Sequence, residues 1–328
     1  GGGAAAPAAT GEVVKLGNDV LSLDIDTLGA VARRAELLEH ADIDHKDKKV
    51  LLLQDQPGAL YIAQMGWVGA PAGGPGFPTH RTPFTAGEPV KSAGGDVSVT
   101  LTADTGGLKV ERTFTLKKGE YVVGVKDTVT NTGAAAVKPT QYEQLTRDHH
   151  KPPGESQFYS TYTGPAIYTD KSKFHKIDFN DIEKGKASYD KTANDGWLGI
   201  IQHYFVAAWI PPDQVAREYY AEKVDTNLYR VGIKMTMGEL APQASATTES
   251  RLLIGPQFQP MLEKIAPGLD LTVDYGWLTV IAKPIYWLLQ QLHMLVGNWG
   301  WSIVVMNADA SATVTTDGCV VLDSGDTG

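Results

Sequence analysis

The chain has 328 residues, a formal net charge of -9 at pH 7 and a pI near 5.4. This acidic composition argues against a nucleic-acid partner, because contacts to phosphates need a basic face. A single cysteine, Cys319, excludes an intramolecular disulfide and a cysteine-based zinc site, and the length suffices for one large domain or two ordinary ones.

The first twelve residues, "GGGAAAPAATGE", are small and carry no hydrophobic period, which predicts a flexible linker over 1–12. They contain no basic stretch followed by an apolar one, so they do not resemble a signal peptide. Because the chain begins at Gly1 and not at methionine, we expect a fragment whose upstream part is missing.

From Val13 onward the dominant hydrophobic period is two, as in strands with one buried face. "DVLSLDID" places Leu21, Leu23 and Ile25 on one side, and "KVERTFTLKKGEYVVGVKDTVTNTG" predicts a hairpin that turns at Lys118-Gly119. "DVSVTLTAD", "NLYRVGIKMTM" and "ATTESRLLIG" are further strand candidates, and convincing helical periodicity is rare before Pro256. The body is therefore predicted to be mainly β, a large antiparallel sandwich.

Near residue 260 the pattern changes. "QPMLEKIAPGLD" predicts a short helix from Met261 to Ile265 that Pro267-Gly268 ends. In the next stretch, at about 100° per residue, one arc of the helix collects only apolar side chains. These are Trp277, Leu278, Ile281, Ile285, Leu288, Leu289, Leu292, Leu295 and Val296.

This stripe has two interpretations. An apolar stripe usually packs on a protein core, but tryptophans of the kind enriched at the boundary between bilayer and water accompany this one, which favours a helix lying in a membrane interface. "GNWGWSIVV" then begins a more apolar helix, yet only ten residues pass from Gly297 to Met306, and a span needs about 20. The tail over 307–328 is small, polar and acidic.

The junction in this region resembles a known one. "LDLTVDYGWL" at 269–278, the amphipathic helix and "VGNWGWSI" at 296–303 are similar to the junction between periplasmic domain and membrane core in YidC-type insertases of Gram-negative bacteria. "DVLSLDIDTLGA", "FYSTYTGPAIYT" and "QHYFVAAWIPP" resemble segments of that family's large periplasmic domain. The likeness extends over residues 13–305.

The resemblance implies an antiparallel β-supersandwich, similar to galactose mutarotases, with short C-terminal helices and an amphipathic interface helix. It also implies help with insertion and folding of proteins in the inner membrane, alone or beside the Sec translocon, with this domain on the periplasmic side. The implied partners are the Sec translocon with its accessory subunits, nascent membrane proteins and the lipid bilayer surface, and no cofactor is implied.

Four regions are thus predicted: a linker at 1–12, the periplasmic sandwich at 13–272, the interface helix with the start of a transmembrane helix at 273–306, and an unmatched tail at 307–328. The side chains predicted to contact the membrane interface are Trp277, Ile281, Lys283, Ile285, Trp287, Leu288, Leu292, Leu295, Trp299 and Trp301.

The sequence also departs from the family. A transmembrane helix precedes the periplasmic domain in the family, and here only its linker-like downstream region is expected. Beyond Met306 the match ends, and Ser311 stands about where the family's core carries an arginine in an intramembrane groove. We therefore expect this chain alone not to insert proteins.

A rival interpretation is a periplasmic carbohydrate-active enzyme of the mutarotase or epimerase type. Glu143, Asp148, His149 and His150 are its candidate acid–base groups, because mutarotases use histidines and a carboxylate. The bland interpretation of "TRDHHKPPGE" is a solvated polar loop, which we favour because similarity of fold does not transfer activity. No spacing predicts a metal site, and no phosphate-binding loop occurs in the sequence.

Overall fold

The computed structural model describes residues 10–150, 162–273, 287–294, 297–298, 313–314 and 320–321. The chain divides into two compact units, Gly1–Val273 and Asp274–Gly328. The first unit contains two large antiparallel sheets, so the predicted mainly β, antiparallel fold is confirmed.

The strands of the first unit are, in chain order, β1 Val13–Gly17, β2 Leu21–Asp26, β3 Val31–Ala41, β4 Lys49–Gln56, β5 Ala59–Val68, β6 Thr85–Ala86, β7 Val90–Lys91, β8 Val97–Thr105, β9 Leu108–Leu116, β10 Val122–Asn131, β11 Thr140–Asp148, β12 Gly164–Thr169, β13 Lys173–Lys176, β14 Thr192–Ala193, β15 Trp197–Gln202, β16 Phe205–Ile210, β17 Arg217–Asp225, β18 Leu228–Thr236 and β19 Ser245–Pro256. Its helices are α1 Phe179–Glu183, α2 Gln259–Ile265 and a 3-10 turn, Leu269–Thr272.

The nine-stranded first sheet has the order β1-β2-β3-β4-β5-β11-β18-β17-β14. The ten-stranded second sheet has the order β13-β12-β15-β16-β19-β10-β9-β8-β6, with β7 also paired to β8. Strand β11 thus lies near the middle of the first sheet, between β5 and β18, and β19 lies near the middle of the second, between β16 and β10.

Alternating side chains explain why these segments form strands with one buried face. Leu21, Leu23 and Ile25 of β2 are fully buried, and the intervening residues Ser22 and Asp24 are less so. Strand β9 alternates between buried and half-buried over its whole length. The period-two signal therefore identified the core-facing positions correctly.

The predicted hairpin is formed by β9 and β10, whose register pairs Leu116 with Val123. Gly119 lies in the connecting turn at φ +74°, a left-handed conformation that glycine adopts without steric cost. The predicted turn at Lys118-Gly119 is confirmed.

The two sheets pack face to face around a continuous apolar core, and hydrogen bonds also join them. The Trp67 indole of β5 donates to Asp127 Oδ2 on β10 at 2.8 Å, and the Trp209 indole of β16 donates to the Gln144 carbonyl on β11 at 3.1 Å. Buried indoles of this kind contribute large apolar areas while their N–H groups still need acceptors.

Polar strands and short helices were harder to predict. The polar loop interpretation of "TRDHHKPPGE" is wrong for its first residues, because Thr146 to Asp148 complete β11. Helix α1 was not predicted, and α2 begins at Gln259, two residues before the predicted Met261. The reason in β11 is that its polar residues face both sides of the sheet, so no hydrophobic alternation shows.

The C-terminal helices of the first unit lie against the second sheet. Arg251 Nη1 on β19 donates to the Ile265 carbonyl at 2.8 Å, and the Trp197 indole on β15 donates to the Pro267 carbonyl at 3.0 Å. The predicted stop at Pro267-Gly268 is confirmed, since α2 ends at Ile265 and Gly268, at φ +69°, precedes the 3-10 turn.

In the second unit, residues 287–294 are helical and β20 Thr313–Val314 pairs with β21 Val320–Val321. Within the described ranges no helix is both long and apolar enough to cross a membrane. The proposed limits of the linker, the interface helix and the tail stay predictions.

Candidate functional site

The described part of the predicted interface helix exposes large apolar side chains. Trp287 is 61% exposed, Leu288 44% and Met294 71%, whereas Leu292 is half-buried. Gly297, at φ +67°, donates its N–H to the His293 carbonyl at 2.7 Å.

The large apolar side chains occupy two sides of this helix. At about 100° per residue, Leu288 and Leu292 lie about 40° apart, within the predicted apolar arc. Trp287 and Met294 lie about 20° apart on the opposite, more polar side. The segment therefore presents leucines on one side and larger, polarizable side chains on the other.

Three of the predicted interface residues can thus be located, namely Trp287, Leu288 and Leu292. The others lie outside the described residues; they are Trp277, Ile281, Lys283, Ile285, Leu295, Trp299 and Trp301. Their contact with a membrane interface stays a prediction.

The four acid–base candidates do not gather into one site. Asp148 Oδ1 contacts His150 Nδ1, while the His149 ring packs on Phe179 with centroids 5.1 Å apart. The hydrogen bond from His150 holds the Asp148 carboxylate, which lowers the pKa of Asp148 although burial opposes this. Glu143 is fully buried between the two sheets and bonds to Ser250 and Gln141 instead.

A second polar region covers the outer face of the first sheet, the side turned away from the sandwich core. The Tyr220 hydroxyl of β17 donates to Gln144 Oε1 at 2.7 Å, and Gln144 Nε2 donates to Gln64 Oε1 at 2.8 Å. Thr146 Oγ1 donates to the same Gln64 oxygen at 2.8 Å. We call Gln64, Gln144, Thr146 and Tyr220 the outer network.

A tyrosine and a histidine extend this region at its edge. The Tyr142 hydroxyl accepts the His80 backbone N–H at 3.0 Å and lies 2.5 Å from His80 Nδ1. Burial, aided by three nearby arginines, lowers the pKa of His80 to about 4, so its ring is neutral and Nδ1 can accept a hydrogen bond from the Tyr142 hydroxyl. These bonds fix the loop that carries His80 over the sheet.

The described residues line cavities at both sheets. One, of about 690 Å³, is lined by Asn194, Glu218 and Lys234 among others. The other, of about 390 Å³, is lined by Ser250, Lys126 and Pro212 among others. None of the four acid–base candidates lines either of them.

The sequence did not predict the outer network. Its residues come from three strands that are far apart in the chain, and only the strand order brings them together. The glycines Gly66 and Gly232 inside strands could have indicated that side chains lie closely over the sheet at these positions. A Cβ at Gly66 would lie 2.4 Å from the Tyr142 hydroxyl, and one at Gly232 would lie 2.4 Å from the Tyr220 hydroxyl. No group of three or more His, Cys, Asp or Glu side chains that could hold a metal ion occurs in the part of the chain that the structure describes.

Comparison with known families identifies most of this chain. A family model described as the YidC periplasmic domain matches residues 13–288. A membrane protein insertase YidC of Cupriavidus necator is 48% identical over 313 residues, which cover 93% of this chain and 55% of that protein. The YidC of Bordetella pertussis is 47% identical over 300 residues, with 91% and 53% covered. The chain spans about half the length of the curated relatives it matches.

Solved structures show a fainter likeness. A galactose mutarotase related enzyme from Lactobacillus acidophilus superposes with a TM-score of 0.47 at 12% identity, covering 74% of this chain and 97% of its own. A putative aldose 1-epimerase from Escherichia coli K12 gives 0.45 at 10% identity, covering 74% and 98%.

Proposed function

Since the chain belongs to the YidC family of membrane protein insertases and carries that family's periplasmic domain, we propose that it is the periplasmic part of an inner-membrane insertase and chaperone. The whole protein would assist insertion and folding of integral membrane proteins, alone or with the Sec translocon. The family resemblance of the sequence is confirmed by the relatives over more than nine-tenths of the chain.

The membrane contact in this proposal rests on one observation, the exposure of apolar side chains on helix 287–294. Leu288 keeps 44% of its surface exposed although it lies in the predicted apolar arc. Apolar helix faces with tryptophans nearby bind the boundary between headgroups and acyl chains, and each buried apolar side chain contributes about 1.5–3 kcal/mol. We therefore propose that this face lies on the bilayer surface.

The domain is proposed to act without catalysis. What supports this is the separation of the acid–base candidates: Glu143 lies inside the sandwich, whereas Asp148 and His150 pair with each other at the end of β11. General acid–base work on one sugar needs such groups within hydrogen-bond reach of the same substrate. The proposed partners are the Sec translocon with its accessory subunits and nascent membrane proteins.

A liposome flotation assay tests the membrane contact. In the variant Leu288→Asp/Leu292→Asp, two charges enter the proposed lipid face, and we expect at least a tenfold loss of binding, since burying an apolar side chain contributes about 1.5–3 kcal/mol. The matched control is Gln290→Asp/Gln291→Asp, which adds the same charge outside the predicted apolar arc and is expected to bind almost as the unchanged chain does.

Thermal unfolding of the same variants separates lipid contact from core packing. Equal flotation of both double variants would refute the membrane contact. A large decrease of the unfolding temperature in Leu288→Asp/Leu292→Asp alone would show that the two leucines pack on protein and not on lipid.

Contact with the Sec translocon is tested separately by photo-crosslinking from positions on the exposed surface of the sandwich in the full-length protein. Crosslinks to translocon or accessory subunits are expected. Their absence in cells that still insert a translocon-dependent client would contradict this partner and leave the lipid contact untouched.

A further inference from the structure

A carboxyl group is buried at the contact between the two sheets. Glu143 of β11 accepts hydrogen bonds at Oε1 from Ser250 Oγ on β19 and from Gln141 Nε2 at 3.2 Å. Among the residues that the structure describes, Glu143 Oε2, Gln141 Oε1 and Thr248 Oγ1 are all buried and have no hydrogen-bond partner. We call Gln141, Glu143, Thr248 and Ser250 the inner seam.

The charged groups around the inner seam form their hydrogen bonds with partners other than Glu143. On β9 and β10, Arg112 and Asp127 pair through two bonds of 2.8 Å, and both are fully buried. Arg217 of β17 donates to backbone carbonyls, including that of Gly196 at 2.8 Å. Neither arginine donates to Glu143, and the Asp127 carboxylate is a nearby like charge.

This arrangement suits a neutral acid and not a carboxylate. An ionised Glu143 would have one fully buried oxygen without a donor, which is costly unless the charge is paired. A protonated Glu143 carries no charge, so leaving its buried Oε2 without a partner costs less than it would in the carboxylate. Burial and, more weakly, Asp127 raise the pKa of Glu143 to about 7, against the donor Ser250 and the two arginines.

We propose that Glu143 is a pH-sensitive group at the contact between the two sheets: the neutral acid is accommodated between β11 and β19, whereas loss of its proton buries a charge without a counter-charge and destabilises the packing of the two sheets. Ionisation is expected to draw water or other donors toward the inner seam, because a buried charged carboxylate recruits donors wherever they can reach it.

The sign of the effect follows from the proton balance. The unfolded chain loses this proton near pH 4.5, the ordinary value, whereas the folded chain keeps it until about pH 7. The contribution of Glu143 to stability is thus greatest below 4.5 and declines as pH rises through 7. A pKa difference of this size corresponds to about a 300-fold change in the unfolding equilibrium constant.

The experiment compares the chain with Glu143→Gln, which has the same shape and does not titrate. Between pH 5 and 9, the unfolding equilibrium constant measured in urea should rise about 75-fold more in the unchanged chain than in the variant, because part of the effect is already present at pH 5. The protection of β11 and β19 amides against hydrogen exchange, corrected for the intrinsic pH dependence of exchange, should fall as pH rises in the unchanged chain and stay constant in the variant. A difference between the two proteins that stays constant with pH overturns the proposal.

Two further measurements cover the case that Glu143→Gln does not fold. Infrared spectra of the unchanged chain should show the C=O band of a buried neutral carboxylic acid at pH 6 and lose it above pH 8, and absence of this band at pH 6 refutes the proposal. Ser250→Ala removes a donor that favours the carboxylate, so it should move the loss of this band to higher pH. A shift in the opposite direction would also count against the proposal.

Discussion

The two faces of β11 are both polar, and burial affects them in opposite ways. On the inner face, Glu143 is an acid that burial keeps protonated, with its pKa raised to about 7. On the outer face, Tyr142 bonds to His80, a base that burial keeps unprotonated, with its pKa lowered to about 4. Both groups are therefore neutral when folded, one by holding a proton and the other by losing it.

The groups at the two faces of one strand thus give the domain two opposite responses to pH. Stability from Glu143 is lost as pH rises through about 7, and stability from His80 is lost as pH falls from its ordinary value of 6.5 toward 4. The combined contribution of these two groups to stability is greatest between their ordinary pKa values, about 4.5 for Glu143 and 6.5 for His80.

The largest effect is expected when the buried ion pair on the inner face, Arg112 with Asp127, is broken. Asp127→Asn leaves the Arg112 guanidinium buried without a counter-charge, although the Trp67 indole keeps an acceptor. Removing one partner of a buried ion pair costs about 3–5 kcal/mol. The free energy of unfolding in urea should fall by that amount, and the pH at which Glu143 ionises should fall too, because Asp127 helps to raise its pKa.

The matched control lies one residue before Asp127 on the same strand, on the opposite face. Lys126 and Glu249 form an ion pair of 3.4 Å with side chains 54% and 70% exposed. Glu249→Gln should cost at most about 1 kcal/mol, since exposed pairs contribute little. If both variants lose the same stability, the buried pair is not what secures the inner face.

The sequence predicted the apolar half of this fold and missed the polar half for a physical reason. Leu21, Leu23 and Ile25 alternate with polar residues, so their buried face can be read directly. In "TQYEQLTRD" both faces are polar, and nothing local tells Glu143 from Gln144.

The partners of these polar residues lie far away in the chain. Glu143 contacts Ser250, 107 positions later, and Gln144 contacts Gln64, 80 positions earlier. Strand order decides such contacts, and the hydrophobic period does not encode it. The apolar stripe near the C-terminus was readable for the opposite reason, because all its members belong to one local helix.

The titrating group at the outer face, His80, can be tested by substitution. His80→Asn offers an oxygen that can replace Nδ1 as the acceptor for Tyr142 and does not titrate. As pH falls from 7 to 4.5, the free energy of unfolding of the unchanged chain should decrease by roughly 1–2 kcal/mol more than that of this variant. This figure is below the full effect of the pKa shift because the His80 ring is partly accessible to solvent. Urea unfolding at five or six pH values measures the difference, in which all shared titrating groups cancel.

The direction of that difference is the decisive part. A gap between the two proteins that widens as pH rises, instead of as it falls, would mean that His80 is charged in the folded state. The assignment of Tyr142 as donor to Nδ1 would then be wrong, and the contrast between the two faces of β11 would disappear.

The smallest effect is expected in the outer network, where hydrogen bonding involves no charge. Tyr220→Phe removes only the hydroxyl that donates to Gln144 Oε1, and the ring can keep its place over Gly232 because a Cβ there would lie 2.4 Å from Tyr220 Cζ. Losing one neutral hydrogen bond costs about 1 kcal/mol. Since neither partner changes charge between pH 5 and 9, the loss in unfolding free energy should be the same at every pH, in contrast to Glu143→Gln and His80→Asn. A cost that changes with pH would show that the outer network is coupled to a titrating group, and the two faces of β11 would then not be independent.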